Sequence, residues 1–110
     1  MFGRGVWRAS PSMSSFQISP RARTELLEIE EFTALRWGER QADAYITGLQ
    51  KAFELIASFP GMGRSADELA RGYRRYRFQK HYIFYTDEGD HILVRSVVHT
   101  SRDLRADLFD

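Results

Sequence analysis

Two hydrophobic periods divide the chain. Between residues 20 and 57 apolar side chains recur at three- and four-residue intervals, and from residue 73 onward they recur at intervals of two. The second helical stretch carries the stronger pattern. Ala42, Tyr45, Ile46, Leu49, Ala52, Phe53, Ile56 and Ala57 follow the i, i+3, i+4, i+7 rule, which predicts an amphipathic helix from about Glu39 to the Pro60-Gly61 stop. Ahead of it, Ala22, Leu26, Ile29 and Thr33 share a stripe, with Phe32 and Leu35 beside it. The acidic residues of this segment are expected to point away from that stripe. Ser19 is placed to cap the first helix and Pro20 to occupy its first position, giving a helix over 20–36 that ends at Gly38. The short Trp37-Gly38 joint then implies an antiparallel helical hairpin.

Residues 15–18, 73–78, 81–86 and 92–98 read as strands, rich in Tyr, Phe, Ile and Val. Ile83-Phe84-Tyr85 is apolar on both faces, as a central strand requires. Asp87-Glu88-Gly89-Asp90 is a hairpin turn. The connection 60–72 has room for one helical turn at Asp67–Ala70, and Ser101–Leu104 for another. The resulting order, β-α-α-β-β-β, is that of an α+β domain in which a helical hairpin packs on one face of a small, mainly antiparallel sheet. The other sheet face is expected to stay uncovered, as a partner site. Residues 1–13 hold Gly, Pro and Ser without periodicity and are expected to form a poorly ordered extension, with Met13 as an alternative start. Residues 14–110 form the single domain.

Composition narrows the classes. A chain of 110 residues with 43% hydrophobic residues supports one core. The absence of cysteine excludes disulfide scaffolds, thiolate metal sites and a cysteine nucleophile. No apolar run is long enough for a membrane helix, and the chain reads as cytoplasmic. Charge is nearly balanced at net +1, but it is polarised. Glu25, Glu28, Glu30 and Glu31 cluster in the first helix, whereas Arg71, Arg74, Arg75, Arg77 and Lys80 crowd one later segment. That basic segment is a candidate contact for an acidic partner or a phosphate backbone. Strand alternation divides it, with Arg75 and Arg77 on one side and Arg74 and Tyr76 on the other.

Candidate chemistry is sparse. His81, His91 and His99 show no metal-ligand spacing, and no phosphate-cradling glycine loop or nucleophile motif is present, so no metal, cofactor or catalytic residue is expected. One constellation remains open. Arg77, His81, Arg95 and His99 sit on neighbouring strands near Tyr82 and Tyr85, and imidazoles beside guanidiniums can serve metal-free RNA cleavage. Arg95 and His99, four residues apart, are expected to share a face with Leu93 and Val97, which favours a structural ion pair for Arg95 over catalysis.

Taken in order, the segments are similar to a known family. Ile18-Ser19-Pro20-Arg21-Ala22, Leu26-Leu27-Glu28-Ile29, Arg36-Trp37-Gly38, Gln41-Ala42, Phe59-Pro60-Gly61-Met62-Gly63-Arg64, Gly72-Tyr73-Arg74, His81-Tyr82-Ile83-Phe84-Tyr85, Val97-Val98-His99 and Arg102-Asp103-Leu104 resemble the ParE branch of the RelE/ParE toxins of bacterial type II toxin–antitoxin systems. The resemblance implies a growth-inhibiting toxin that binds DNA gyrase without enzymatic activity. It also implies a cognate ParD-like antitoxin with a ribbon-helix-helix part, which joins the toxin in a hetero-oligomer and brings it to operator DNA. The alternatives are a RelE-type ribosome-dependent mRNA endoribonuclease and a non-toxic protein-binding module on the same fold. Arg74, Arg75, Arg77, His81, Arg95, His99 and Arg102 are the candidate partner-binding residues.

Overall fold

The computed structural model describes residues 15–105. The expectations for residues 1–13 lie outside these. The elements follow in the order β1 (Phe16–Ile18), α1 (Pro20–Trp37), α2 (Glu39–Ser58), a short 3-10 turn (Pro60–Met62), β2 (Arg64–Ser65), β3 (Arg74–Phe78), β4 (His81–Asp87) and β5 (Ile92–His99). The strands form one mixed sheet in the order β1-β5-β4-β3-β2, with β1 parallel to β5 and the other pairs antiparallel. Only β2 lacks a counterpart in the sequence reading, because a two-residue edge strand has no period to detect. Asp67–Ala70 forms a single hydrogen-bonded turn closed by Ala70 N–H to the Ala66 carbonyl at 3.1 Å, not a helix. Ser101–Leu104 likewise makes only a turn.

The helices form where capping and burial agree. Ser19 Oγ accepts from the Ala22 N–H at 3.1 Å and starts α1. Gly38, at φ +96°, ends α1 by donating to the Ala34 carbonyl and opens α2 by accepting from the Ala42 N–H. A side chain is strained at that dihedral, so the tight helical joint depends on glycine. The α2 stripe of Ala42, Ile46, Leu49, Ala52, Phe53 and Ile56 is fully buried. From Ile46 onward it packs with Ala22 and Leu26 of α1 onto Phe16, Ile83, Tyr85, Ile92, Val94 and Val97.

Two further features set the geometry of the sheet. Tyr85, buried in the core, donates its hydroxyl to the Pro60 carbonyl at 2.7 Å and accepts from the Gly63 N–H at 2.9 Å. A Cβ on Gly63 would overlap that hydroxyl and crowd the Arg75 carbonyl at 2.9 Å, so glycine is what permits the approach. The second feature is a β-bulge. Phe84 faces Ser96 while Tyr85 faces Val94, which leaves Arg95 as the extra residue of β5.

The expectation of an uncovered sheet face needs correction. Ala66, Phe84 and Val98 form a second, smaller buried cluster on the side away from the helices, with Leu69, Tyr73, Tyr82 and Leu104 packed against it. The connection after β2 folds back across this face because Ala66 and Leu69 bury their apolar side chains there.

Candidate functional site

The seven candidate residues do not form one site. β4 and β3 alternate regularly, so His81 shares the helix-side face with Ile83 and Tyr85, while Arg75 and Arg77 share the opposite face with Tyr82 and Phe84. His99 lies directly opposite His81 in the ladder, and their rings meet edge to face at 5.3 Å. The bulge overturns the expected placement of Arg95. Val94 and Val97, three residues apart, both pack under the helices, and Arg95 projects from the opposite face. There it lies over the Tyr73 ring at 5.6 Å, donates Nε–H to Thr86 Oγ1 at 3.1 Å and pairs with Glu88 at 3.6 Å. Arg95 and His99 therefore do not share a face, and Arg77, His81, Arg95 and His99 do not assemble into one constellation.

The helix side carries the groove. About 590 Å³ of space opens between α1, the start of α2 and the ends of β4 and β5. His81, Tyr45, Val97 and His99 line it, and Lys80, Arg102 and Glu28 supply charge. Phe32 and Trp37 border it from α1 while remaining 62% and 66% exposed. The Arg36 guanidinium lies within 6 Å of both rings, at 5.9 and 5.8 Å. Such an apolar surface on a small protein marks a place for a partner.

Hydrogen bonding sets the state of the two imidazoles. His81 Nδ1 sits 2.7 Å from the Tyr45 hydroxyl. Burial, and secondarily the neighbouring His99, push the His81 pKa down to about 4, so this ring is neutral near pH 7. Burial also raises the Tyr45 hydroxyl above its ordinary value. The Ser101 N–H donates to His99 Nδ1 at 3.0 Å. Nδ1 is therefore an unprotonated acceptor, and a neutral His99 carries its proton on Nε2. The pair can donate and accept hydrogen bonds at the groove floor. Among the described residues no group of three metal-ligating side chains gathers there or elsewhere.

The other candidates are distributed by the sheet. Arg74, on the helix side of β3, donates to the Gly63 carbonyl at 2.7 Å and to the Gly61 carbonyl at 3.4 Å, so it braces the loop before β2. Arg75 lies over Tyr82 at 5.6 Å and pairs with Glu68 at 3.6 Å. Arg77 is exposed, with its Nε–H on the Gln79 carbonyl at 2.8 Å. Arg102 reaches the groove.

Glu25 was misplaced by sequence reasoning. It does not point away with its acidic neighbours. Its carboxylate accepts from Ser96 Oγ at 2.8 and 3.1 Å and from the Val97 N–H at 2.8 Å. Its side chain is only 17% exposed. Ser19 completes the same seam by donating Oγ–H to the Arg95 carbonyl at 2.9 Å, while its N–H donates to Val94. The cap residue of α1 and Glu25 within it thus satisfy backbone groups of β5 at and beyond Val94, where pairing with β1 ends. The sequence signal was slight: Glu25 lies three residues after Ala22 and one before Leu26, at the border of the buried stripe.

Two helices on a five-stranded mixed sheet is a fold that this chain shares with a solved toxin–antitoxin structure. A structure of the chromosomal ParDE TA system from P. aeruginosa superposes with a TM-score of 0.69, covering 79% of this chain and 96% of that one at 13% identity. The sequence carries the assignment further. The family model described as ParE toxin of type II toxin-antitoxin system, parDE, matches residues 16–104. Toxin ParE1 of Caulobacter vibrioides is 38% identical over 96 residues, spanning 87% of this chain and 99% of the relative. Toxin ParE1 of Mycobacterium tuberculosis is 39% identical over 97 residues, spanning 86% and 98%. Toxin ParE of Escherichia coli is 28% identical over 99 residues, spanning 89% and 96%. This chain belongs to the ParE toxin family of type II toxin–antitoxin systems.

Proposed function

We propose that this toxin arrests growth by binding DNA gyrase, with no chemical step of its own, and that a cognate ribbon-helix-helix antitoxin neutralises it and joins it in repressing their operon. Family membership over residues 16–104 carries this reading. The groove supports the antitoxin half of it. Exposed Phe32 and Trp37 face an acidic-hydrophobic segment's apolar side chains, and Lys80 and Arg102 face its carboxylates. A segment that folds on binding pays its ordering entropy there, so the interface has to be large. The division of the basic residues supports the non-enzymatic half, since Arg75, Arg77 and Arg95 lie across the sheet from both imidazoles.

The test is supercoiling by purified gyrase with and without this protein. Inhibition or accumulation of cleaved DNA, relieved by the antitoxin, is the expected result. No effect from a preparation that arrests growth overturns the gyrase assignment.

A second reading rests on one observation. His81 and His99 meet at the groove floor with Lys80 and Arg102 near the same space, which is the group inventory of a metal-free ribonuclease. Cut transcripts on expression, abolished by His99→Ala in a folded protein, would establish it in place of the first.

A further inference from the structure

The sheet face turned away from the helices gathers arginines that lie far apart in the sequence. Arg64 of β2 stands directly opposite Arg75 of β3 in the ladder. Arg77 follows Arg75 on the same face. The bulge adds Arg95 beside Tyr73. Arg75 and Arg95 have carboxylate partners in Glu68 and Glu88. Arg64 and Arg77 have none among the described residues, and both are exposed. Like charges directly opposite in an antiparallel pair work against the sheet, so the Arg64–Arg75 pair costs stability in the isolated protein. Arg77 is also held in place. Its Nε–H is anchored on the carbonyl of Gln79, a residue at φ +51° in the β3–β4 turn. An oriented guanidinium without a counter-ion loses little freedom when it meets an anion.

We infer that the Arg64–Arg75–Arg77 row is a contact surface for the phosphodiester backbone of single-stranded nucleic acid. This goes beyond the gyrase reading and does not depend on it. Three guanidiniums in a row match a repeating anion better than a single one, and guanidiniums bind phosphate oxygens in pairs. Arg75 lies within cation–π distance of Tyr82 and Arg95 within that of Tyr73, which places guanidiniums and aromatic rings together beside the row. Guanidiniums and aromatic rings on a sheet are the groups on which unpaired bases stack. Among the described residues no helix or β-ribbon protrudes from this face to enter a duplex groove, so a duplex could be met only along its backbone and serves as the competitor in the test.

The test uses the full chain and a fluorescein-labelled oligothymidylate about 15 nucleotides long, followed by anisotropy across a salt series. Binding is expected to weaken with salt at a log–log slope of about −2, as three phosphate contacts on a single strand predict. Arg64→Gln and Arg77→Gln should each weaken binding several-fold and reduce the slope by about 0.7. Arg64→Gln should melt no lower than the parent, because that side chain has no carboxylate to lose, and Arg77→Gln should stay folded while giving up its bond to the Gln79 carbonyl. Arg102→Gln, in the groove, should leave oligothymidylate binding unchanged. No binding at low salt, or binding indifferent to both substitutions, overturns the proposal. So does tighter binding to a duplex of equal length, or displacement by polyglutamate at equal charge, which would assign the row to an acidic protein instead.

Discussion

The sheet face beneath the helices and the face turned away draw on the same three long strands, yet they are closed in different ways. Beneath the helices, Ile83, Tyr85, Ile92, Val94 and Val97 meet the buried stripe of α2 and the start of α1. On the other side the apolar cluster among the described residues is smaller, just Ala66, Phe84 and Val98, and tyrosines and arginines surround it. The first face is sealed by two long amphipathic elements with a period of their own. The second is sealed by a turn and by long side chains that cover apolar surface with their stems. Stability is therefore concentrated on one face, while cationic chemistry is gathered on the other. The groove lies at the edge of the first, where the helices run past the ends of β4 and β5.

Substitutions can test that division. Phe53→Ala, beneath the helices, removes a fully buried ring that packs edge to face on Phe16 at 5.5 Å. It should cost about 3–5 kcal/mol in denaturant unfolding. A cost near that of a surface change would mean the helix-side core does not carry the fold. Tyr85→Phe keeps the ring but leaves the Gly63 N–H without its acceptor. It should cost roughly 1–3 kcal/mol and raise amide exchange at Gly63, with the remainder of the sheet unaffected.

Glu25→Gln tests whether α1 holds the bulge. The carboxylate accepts from Ser96 and Val97, and an amide can replace only part of that role. The expected loss is roughly 1–2 kcal/mol, with chemical-shift changes centred on residues 94–98. Unperturbed shifts there would show that the bulge stands without α1.

The imidazole prediction concerns pH. His81 in the folded protein sits near 4, below its unfolded value of 6.5. The unfolded chain therefore takes up the proton first as pH falls. Stability is complete above 6.5 and declines between 6.5 and about 4. His81→Gln should flatten that part of the profile in thermal melts. An unchanged slope would mean that His81 titrates normally. The smallest effect belongs to the far face. Arg95→Met breaks a partly exposed pair with Glu88, the bond to Thr86 Oγ1 and a contact over Tyr73, and should cost about 1 kcal/mol. A larger loss would place structural weight on the cationic face.

Much of this architecture was legible in the chain. The α2 stripe, the Ser19-Pro20 start, the Gly38 joint and the three long strands all follow from local signals that the structure retains. What escaped is also consistent. A two-residue edge strand has no period, so Arg64 could not be paired with Arg75 in advance. A bulge has no motif, so parity placed Arg95 with His99 and Val97 when it lies across the sheet from them. Glu25 carries the same charge as its neighbours, and only its distance to Ser96 and Val97 distinguishes it.

The sequence by itself determined the helical hairpin, the strand-rich second half and membership of the ParE toxin family, because these rest on periodicity, capping and the order of short motifs within contiguous segments. Strand parity already separated Arg75 and Arg77 from Arg74, but the tertiary structure alone decided that Arg64 and Arg95 join the first two and which imidazoles meet. Those relations pass through a single inserted residue in β5 and through pairings between segments distant in the chain. One extra residue reverses the sense of strand alternation, so the face each later side chain occupies is settled by long-range hydrogen bonding and not by local pattern.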